Sequence, residues 1–155
     1  MPSTAPIVSV FGSSSPRPGD ADYALGLAVG AHLASGGYTV QTGGYMGMME
    51  AASRGAAEAG GHVIGVTSQA IEDFRPTGPN PWVAEEQRTQ TLHERLVHLA
   101  TTCQAAVVLP GGVGTLTELA LVWNLSLVGE IPPLPIVTIG APWADLLRVM
   151  SDPAH

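Results

Sequence analysis

Short apolar runs rich in Val and Ile alternate along the chain with longer stretches in which apolar residues recur at helical spacing. The short runs predict strands over Ile7–Phe11, Tyr38–Thr42, His62–Thr67, Ala105–Leu109 and Pro135–Ile139. The longer stretches predict helices over Ala21–Ser35, Gly47–Ala59, Glu85–Thr101, Thr115–Leu127 and Ala144–Met150. Nearly continuous apolar strands interleaved with helices are the mark of a parallel sheet covered on both faces. The expected fold is therefore α/β, a Rossmann-like doubly wound parallel sheet. Ser68–Ala84 contains Pro76, Gly78, Pro79 and Pro81, so it is expected to be irregular and long enough to shape a substrate pocket.

Ligands of such sheets bind beyond the carboxyl ends of the strands. Three of those ends are rich in glycine: Gly12-Ser13-Ser14-Ser15, Gly43-Gly44-Tyr45-Met46-Gly47 and Pro110-Gly111-Gly112-Val113-Gly114-Thr115. Any one of them could be no more than a tight strand-to-helix turn, but three on one rim point to a site. Gly12, Ser13, Ser14, Gly43, Gly44, Met46 and Gly47 are candidate ligand contacts, together with Gly111, Gly112, Val113, Gly114 and Thr115. The last loop opens a helix, whose first-turn N–H groups are unpaired and lie at the positive end of its dipole, so it suits a phosphate. A dinucleotide is disfavoured. The first loop lacks Gly-x-Gly-x-x-Gly, and the second strand ends in Gln41-Thr42 where an acidic residue would hold the ribose of NAD.

Composition narrows the ligand further. The 155 residues are 45% hydrophobic and 12% charged, which suits one domain over residues 1–155. A net charge of −7, without a basic cluster, argues against a nucleic-acid partner. All six basic residues are arginines, and the absence of lysine excludes a Schiff-base mechanism, pyridoxal-phosphate chemistry and a Walker-type P-loop in this chain. The single Cys103 implies neither a disulfide framework nor metal-ligand spacing, and it fits a reducing compartment. The opening Met1–Pro6 has no positive charge and no long apolar run follows it, so neither a leader peptide nor a membrane span is expected. The expectation is a cytoplasmic protein without a metal or resident cofactor.

Between Ala105 and Gly129 the only ionisable side chain is Glu118. It could act on a sugar beside a bound phosphate, yet Thr115-Leu116-Thr117-Glu118 also reads as a capping box, and the two roles are compatible. On a helix over Glu85–Thr101, Arg88, Leu92, Arg95, Leu96, Leu99 and Cys103 share one stripe, which places Arg95 at the edge of the buried face. A snorkelling or salt-bridged arginine is the plainer reading there. The helix Thr115–Leu127 is apolar on nearly every face, so burial on two sides and a homodimer are expected.

Pro110 to Glu118 resembles the PGGxGTxxE motif of the LOG ("lonely guy") proteins, cytokinin riboside 5′-monophosphate phosphoribohydrolases often labelled lysine decarboxylases. Leu92-His93-Glu94-Arg95 resembles their Met-His-x-Arg segment, and Val10–Ser14, Gly43–Met49 and Gly61–Val66 resemble their first two loops and third strand. The resemblance implies a Rossmann-like dimer that cleaves the N-glycosidic bond of a nucleoside 5′-monophosphate, AMP or a cytokinin riboside 5′-monophosphate, to free base and ribose 5-phosphate. It implies Arg95 and Glu118 as catalytic residues and a small-molecule partner only. A second carboxylate placed to act as the acid is not evident, Glu50 being one candidate. Three departures are visible: Arg95-Leu96 replaces the family's Arg-Lys, Phe74–Asn80 replaces a Pro-Arg-Glu segment, and the chain reaches His155 without a further C-terminal helix. The alternative is a non-catalytic nucleotide or molybdenum-cofactor carrier, since such carriers are similar and also hold phosphate with glycine loops.

Overall fold

A computed structural model describes residues 4–152. The first three residues of the segment read for a leader peptide, and the chain end at His155, lie outside them. The strands are β1 (Ile7–Phe11), β2 (Thr39–Thr42), β3 (Val63–Ser68), β4 (Glu85–Thr89), β5 (Ala105–Val108) and β6 (Ile136–Thr138). The helices are α1 (Ala21–Ser35), α2 (Met48–Glu58), α3 (Gln69–Phe74), α4 (Leu92–Thr101), α5 (Val113–Leu127) and α6 (Ala141–Met150). All strand pairs are parallel, in the order β4-β3-β2-β1-β5-β6. The order reverses between β1 and β5, so the crevice that such a sheet offers to ligands opens there, between the Gly12 and Pro110 loops.

β2 and β3 are buried at every position, as central parallel strands must be when helices cover both faces. One apolar layer, including Val8, Val10, Val40, Met48 and Ala52, lies under α1 and α2. The other, including Phe11, Val66, Leu99, Leu119 and Val122, lies under α4 and α5. Among the described residues no helix is long and apolar enough to cross a membrane.

Two expectations fail. Glu85–Thr101 is not one helix: Glu85–Thr89 is β4, an edge strand paired with β3, and only Leu92–Thr101 is helical. The break falls at a capping box, in which the Thr91 hydroxyl accepts from Glu94 N–H while Glu94 receives the Thr91 N–H. Charged residues with good helix propensity form β4 because an edge strand leaves alternate side chains in water. Arg88 therefore does not share a face with Arg95; it lies on β4 and bonds Glu72 at 2.8 Å. The stretch Ser68–Ala84 is only partly irregular, since Gln69–Phe74 forms α3 before the proline-rich turn begins.

Candidate active site

The three glycine loops are bonded to one another. Ser13 donates its N–H to the Pro110 carbonyl at 3.0 Å and accepts the Met48 N–H at 2.8 Å. Gly47 makes this approach possible: its φ is +72°, and a side chain there would collide with the Ser13–Ser14 backbone. Beside the joined loops lies a cleft of about 520 Å³.

Gly12, Ser13, Ser14, Met46, Arg95, Gly112, Val113, Gly114, Thr115 and Glu118 all line that cleft. Gly43, Gly44, Gly47 and Gly111 do not; they stand behind it and shape the loops that do. Glu50 is absent from the lining too, its charge bearing on Tyr23 on the α1 side, so it is misplaced for an acid.

The capping-box reading of Thr115 and Glu118 is wrong. Gly112 is the N-cap of α5, no side chain caps the helix, and Thr115 already lies inside the first turn. The first-turn N–H groups of Val113, Gly114 and Thr115 thus border the cleft with no side chain among the described residues taking them. Glu118 lies one turn further on and makes no hydrogen bond or ion pair with a described residue. Burial pushes its carboxyl up to about 7, while the nearby Arg95 charge pulls the other way. A carboxylic acid that titrates near neutrality in a cleft is suited to proton chemistry.

Arg95 is buried, at 6% exposure, so it does not snorkel, and it forms no salt bridge with a described residue. Its Nε donates to the Val66 carbonyl at 2.8 Å, and its Nη2 donates to the Gly43 carbonyl at 2.9 Å. The guanidinium carbon stands 5.4 Å from the centre of the Tyr45 ring. Gly43 is required here, because an added Cβ would collide with the guanidinium. Nη1 has no partner among the described residues.

Two residues that sequence reasoning missed hold this arrangement. Tyr45 supports Arg95 from below with its ring. Its hydroxyl accepts the Ser68 N–H at 2.8 Å and lies 3.1 Å from both the Ser68 carbonyl and Glu72, donating to one of them. Asn80 is the second: its Nδ2 donates to the Tyr45 carbonyl at 2.8 Å, its N–H donates to the Gly44 carbonyl at 2.8 Å, and its Oδ1 accepts the Trp82 N–H. Asn80 pins the long turn to the second glycine loop, and only its place between Pro79 and Pro81 could have signalled this. The turn does reach the cleft, through Arg75 and Thr77.

The family model described as "Possible lysine decarboxylase" matches residues 49–153. A probable cytokinin riboside 5′-monophosphate phosphoribohydrolase of Oryza sativa subsp. japonica is 37% identical over 74% of this chain and 50% of its own length. The chain belongs to the LOG family. A cytokinin riboside 5′-monophosphate phosphoribohydrolase of Mycobacterium marinum is 36% identical over 68% of this chain and 56% of its own. The chain thus spans about half the length of these LOG relatives. Among solved structures, the molybdenum cofactor binding protein of Rippkaea orientalis superposes with a TM-score of 0.75 at 25% identity, covering 96% of this chain and 85% of that one. The decarboxylase label fits poorly, since this chain contains no lysine to form a Schiff base.

Proposed function

We propose that this LOG-family chain is a hydrolase that cleaves the N-glycosidic bond of a nucleoside 5′-monophosphate, releasing a free base and ribose 5-phosphate. The observation that carries the reading is Glu118, an unpaired carboxyl beside Arg95 and one turn from an uncapped helix start. The 5′-phosphate sits on the first-turn N–H groups of α5 and brings the sugar over Glu118. Breakage of the bond at C1′ develops positive charge on the ribose ring, which the ionised Glu118 stabilises while it orients the attacking water. Nη1 of Arg95 donates to a sugar or phosphate oxygen, and the nearby guanidinium favours the ionised form of Glu118 against the burial that raises its pKa.

AMP and a cytokinin riboside 5′-monophosphate, the compound class that names the relatives, are the first substrates to try. Incubation with each should release free base and ribose 5-phosphate, and Glu118→Gln should lower kcat by about 10²-fold or more while nucleotide binding survives. The second reading is a carrier of a phosphorylated cofactor, favoured by the likeness to the molybdenum cofactor binding protein. Binding without turnover across a nucleotide panel would establish the carrier.

The functional unit in this reading is a homodimer. Leu116 and Leu127 on α5 are 39% and 77% exposed, and with exposed Ala120 and half-buried Trp123 they form a stripe at helical spacing. A second copy that covers this stripe removes it from water.

A further inference from the structure

Arg17, Arg54, Arg88, Arg95 and Arg148 each bond to a carbonyl or carboxylate of the protein. Arg75, the remaining arginine, makes no side-chain bond to any described residue, and it lines the cleft. Beside it, Phe74 is 85% exposed and lines the cleft as well. A guanidinium without a partner and an aromatic face with no cover, side by side in a pocket wall, point to a ligand.

The sheet order places them relative to the rest of the site. Phosphate and sugar are assigned to α5, after β5, whereas Arg75 follows β3 and α3. From β5 to β3 there are three strand spacings, about 14 Å in all. A nucleotide with its phosphate on α5 and its base turned toward β3 brings the outer edge of that base to the side of the cleft that carries Arg75.

We infer that Arg75 reads the outer edge of the base, and that the cleft favours a 6-oxopurine nucleoside 5′-monophosphate such as IMP or GMP over AMP. The inference rests on the hydrolase reading for the direction in which the nucleotide lies. A guanidinium only donates hydrogen bonds. Hypoxanthine and guanine present two neighbouring acceptors, O6 and N7, which match the arginine fork; adenine replaces O6 with an amino group that is itself a donor. Phe74 offers its ring to the face of the same base.

The pairing also supplies what the cleft lacks. Among the described residues Glu118 is the only carboxylate lining it, and no second acid stands near a leaving base. When the C1′–N9 bond breaks, its electron pair passes into the purine and spreads toward N7 and O6, where Arg75 stabilises it until the base takes a proton from solvent. Water gives its oxygen to C1′ and its proton to Glu118, which returns that proton to solvent.

The test compares kcat/KM for IMP, GMP and AMP in the wild-type chain and in Arg75→Ala. The expected result is a preference of about tenfold or more for IMP and GMP over AMP. Arg75→Ala should lower the two 6-oxopurine values by a similar factor and AMP by much less. AMP cleaved as well as or better than IMP, or an equal loss on all three substrates, overturns the inference and leaves the hydrolase reading standing. Failure of the wild type to cleave any of them, or a cytokinin riboside 5′-monophosphate run beside them, overturns the hydrolase reading instead. Calorimetric binding then decides the inference: tighter binding of IMP than of AMP that depends on Arg75 supports it, and equal binding overturns it.

Discussion

Arg95 lies within electrostatic reach of Glu118 yet forms no ion pair with it, its Nε and Nη2 being bonded to the Val66 and Gly43 carbonyls. Two backbone carbonyls thus hold a cation beside a carboxyl without neutralising it. A tight salt bridge would pull the carboxyl well down. Held apart, Glu118 remains balanced between acid and base, at about 7.

The pH dependence of the reaction follows. In the proposed hydrolysis the form of Glu118 that stabilises a cationic sugar is the carboxylate, present above about 7. Activity on a nucleoside 5′-monophosphate should rise with pH through one ionisation near 7 and level off about one unit above it. A rate that falls through neutrality would show that the protonated acid is the working form.

The same shift has an opposite effect on stability. Burial raises the folded-state value of Glu118 above that of an unfolded glutamate, so between about 4.5 and 7 the native chain binds more protons than the unfolded chain. Its contribution is most favourable at low pH and is lost as pH rises to 7 and beyond. Glu118→Gln removes the buried charge and should stabilise the protein by about 1–3 kcal/mol at pH 8 relative to its effect at pH 5. Thermal unfolding at the two pH values checks this, and equal effects would mean that Glu118 is better solvated than its surroundings indicate.

Gly43→Ala tests the seat of Arg95. The backbone of Gly43 is not in the left-handed region, so alanine fits the chain locally, but its Cβ would displace the guanidinium. Activity should fall by about 10²-fold, as small misplacements of catalytic groups do, while the variant remains folded by circular dichroism. Unchanged kcat/KM would remove Arg95 from the mechanism.

Leu127→Glu places a charge on the exposed stripe of α5, at the far end of the helix from the cleft. Sedimentation at micromolar concentration should show a dimer for the wild type and a monomer for the variant. A monomeric wild type would end the dimer proposal.

How far the chain could be read in advance depended on the range of the forces involved. β1, β2, β3 and β5 were legible because central parallel strands are short, apolar and β-branched, whatever they pair with, and β6, the far edge, was legible because Ile136-Val137-Thr138 is β-branched throughout. β4 was not, because Glu85-Glu86-Gln87-Arg88-Thr89 has helix-forming residues and becomes a strand only by pairing with β3. The start of α4 was legible in principle, since Thr91 and Glu94, three positions apart, form a capping box, yet the periodicity of the neighbouring segment obscured it.

The candidate site divides along the same line. Its glycine loops and its carboxyl are local patterns, and the sequence by itself determined that three glycine-rich loops share one rim with Glu118 beside the third, whereas Arg95 was drawn to that rim only through the resemblance to the LOG motifs. Tertiary structure alone decided how they are held. Asn80 on the Gly44–Tyr45 loop, Tyr45 beneath Arg95, and the carbonyls of Val66 and Gly43 that keep Arg95 apart from Glu118 join segments distant in sequence. The titration of Glu118 near 7 has the same origin, because desolvation arises only when the cleft walls close around the carboxyl.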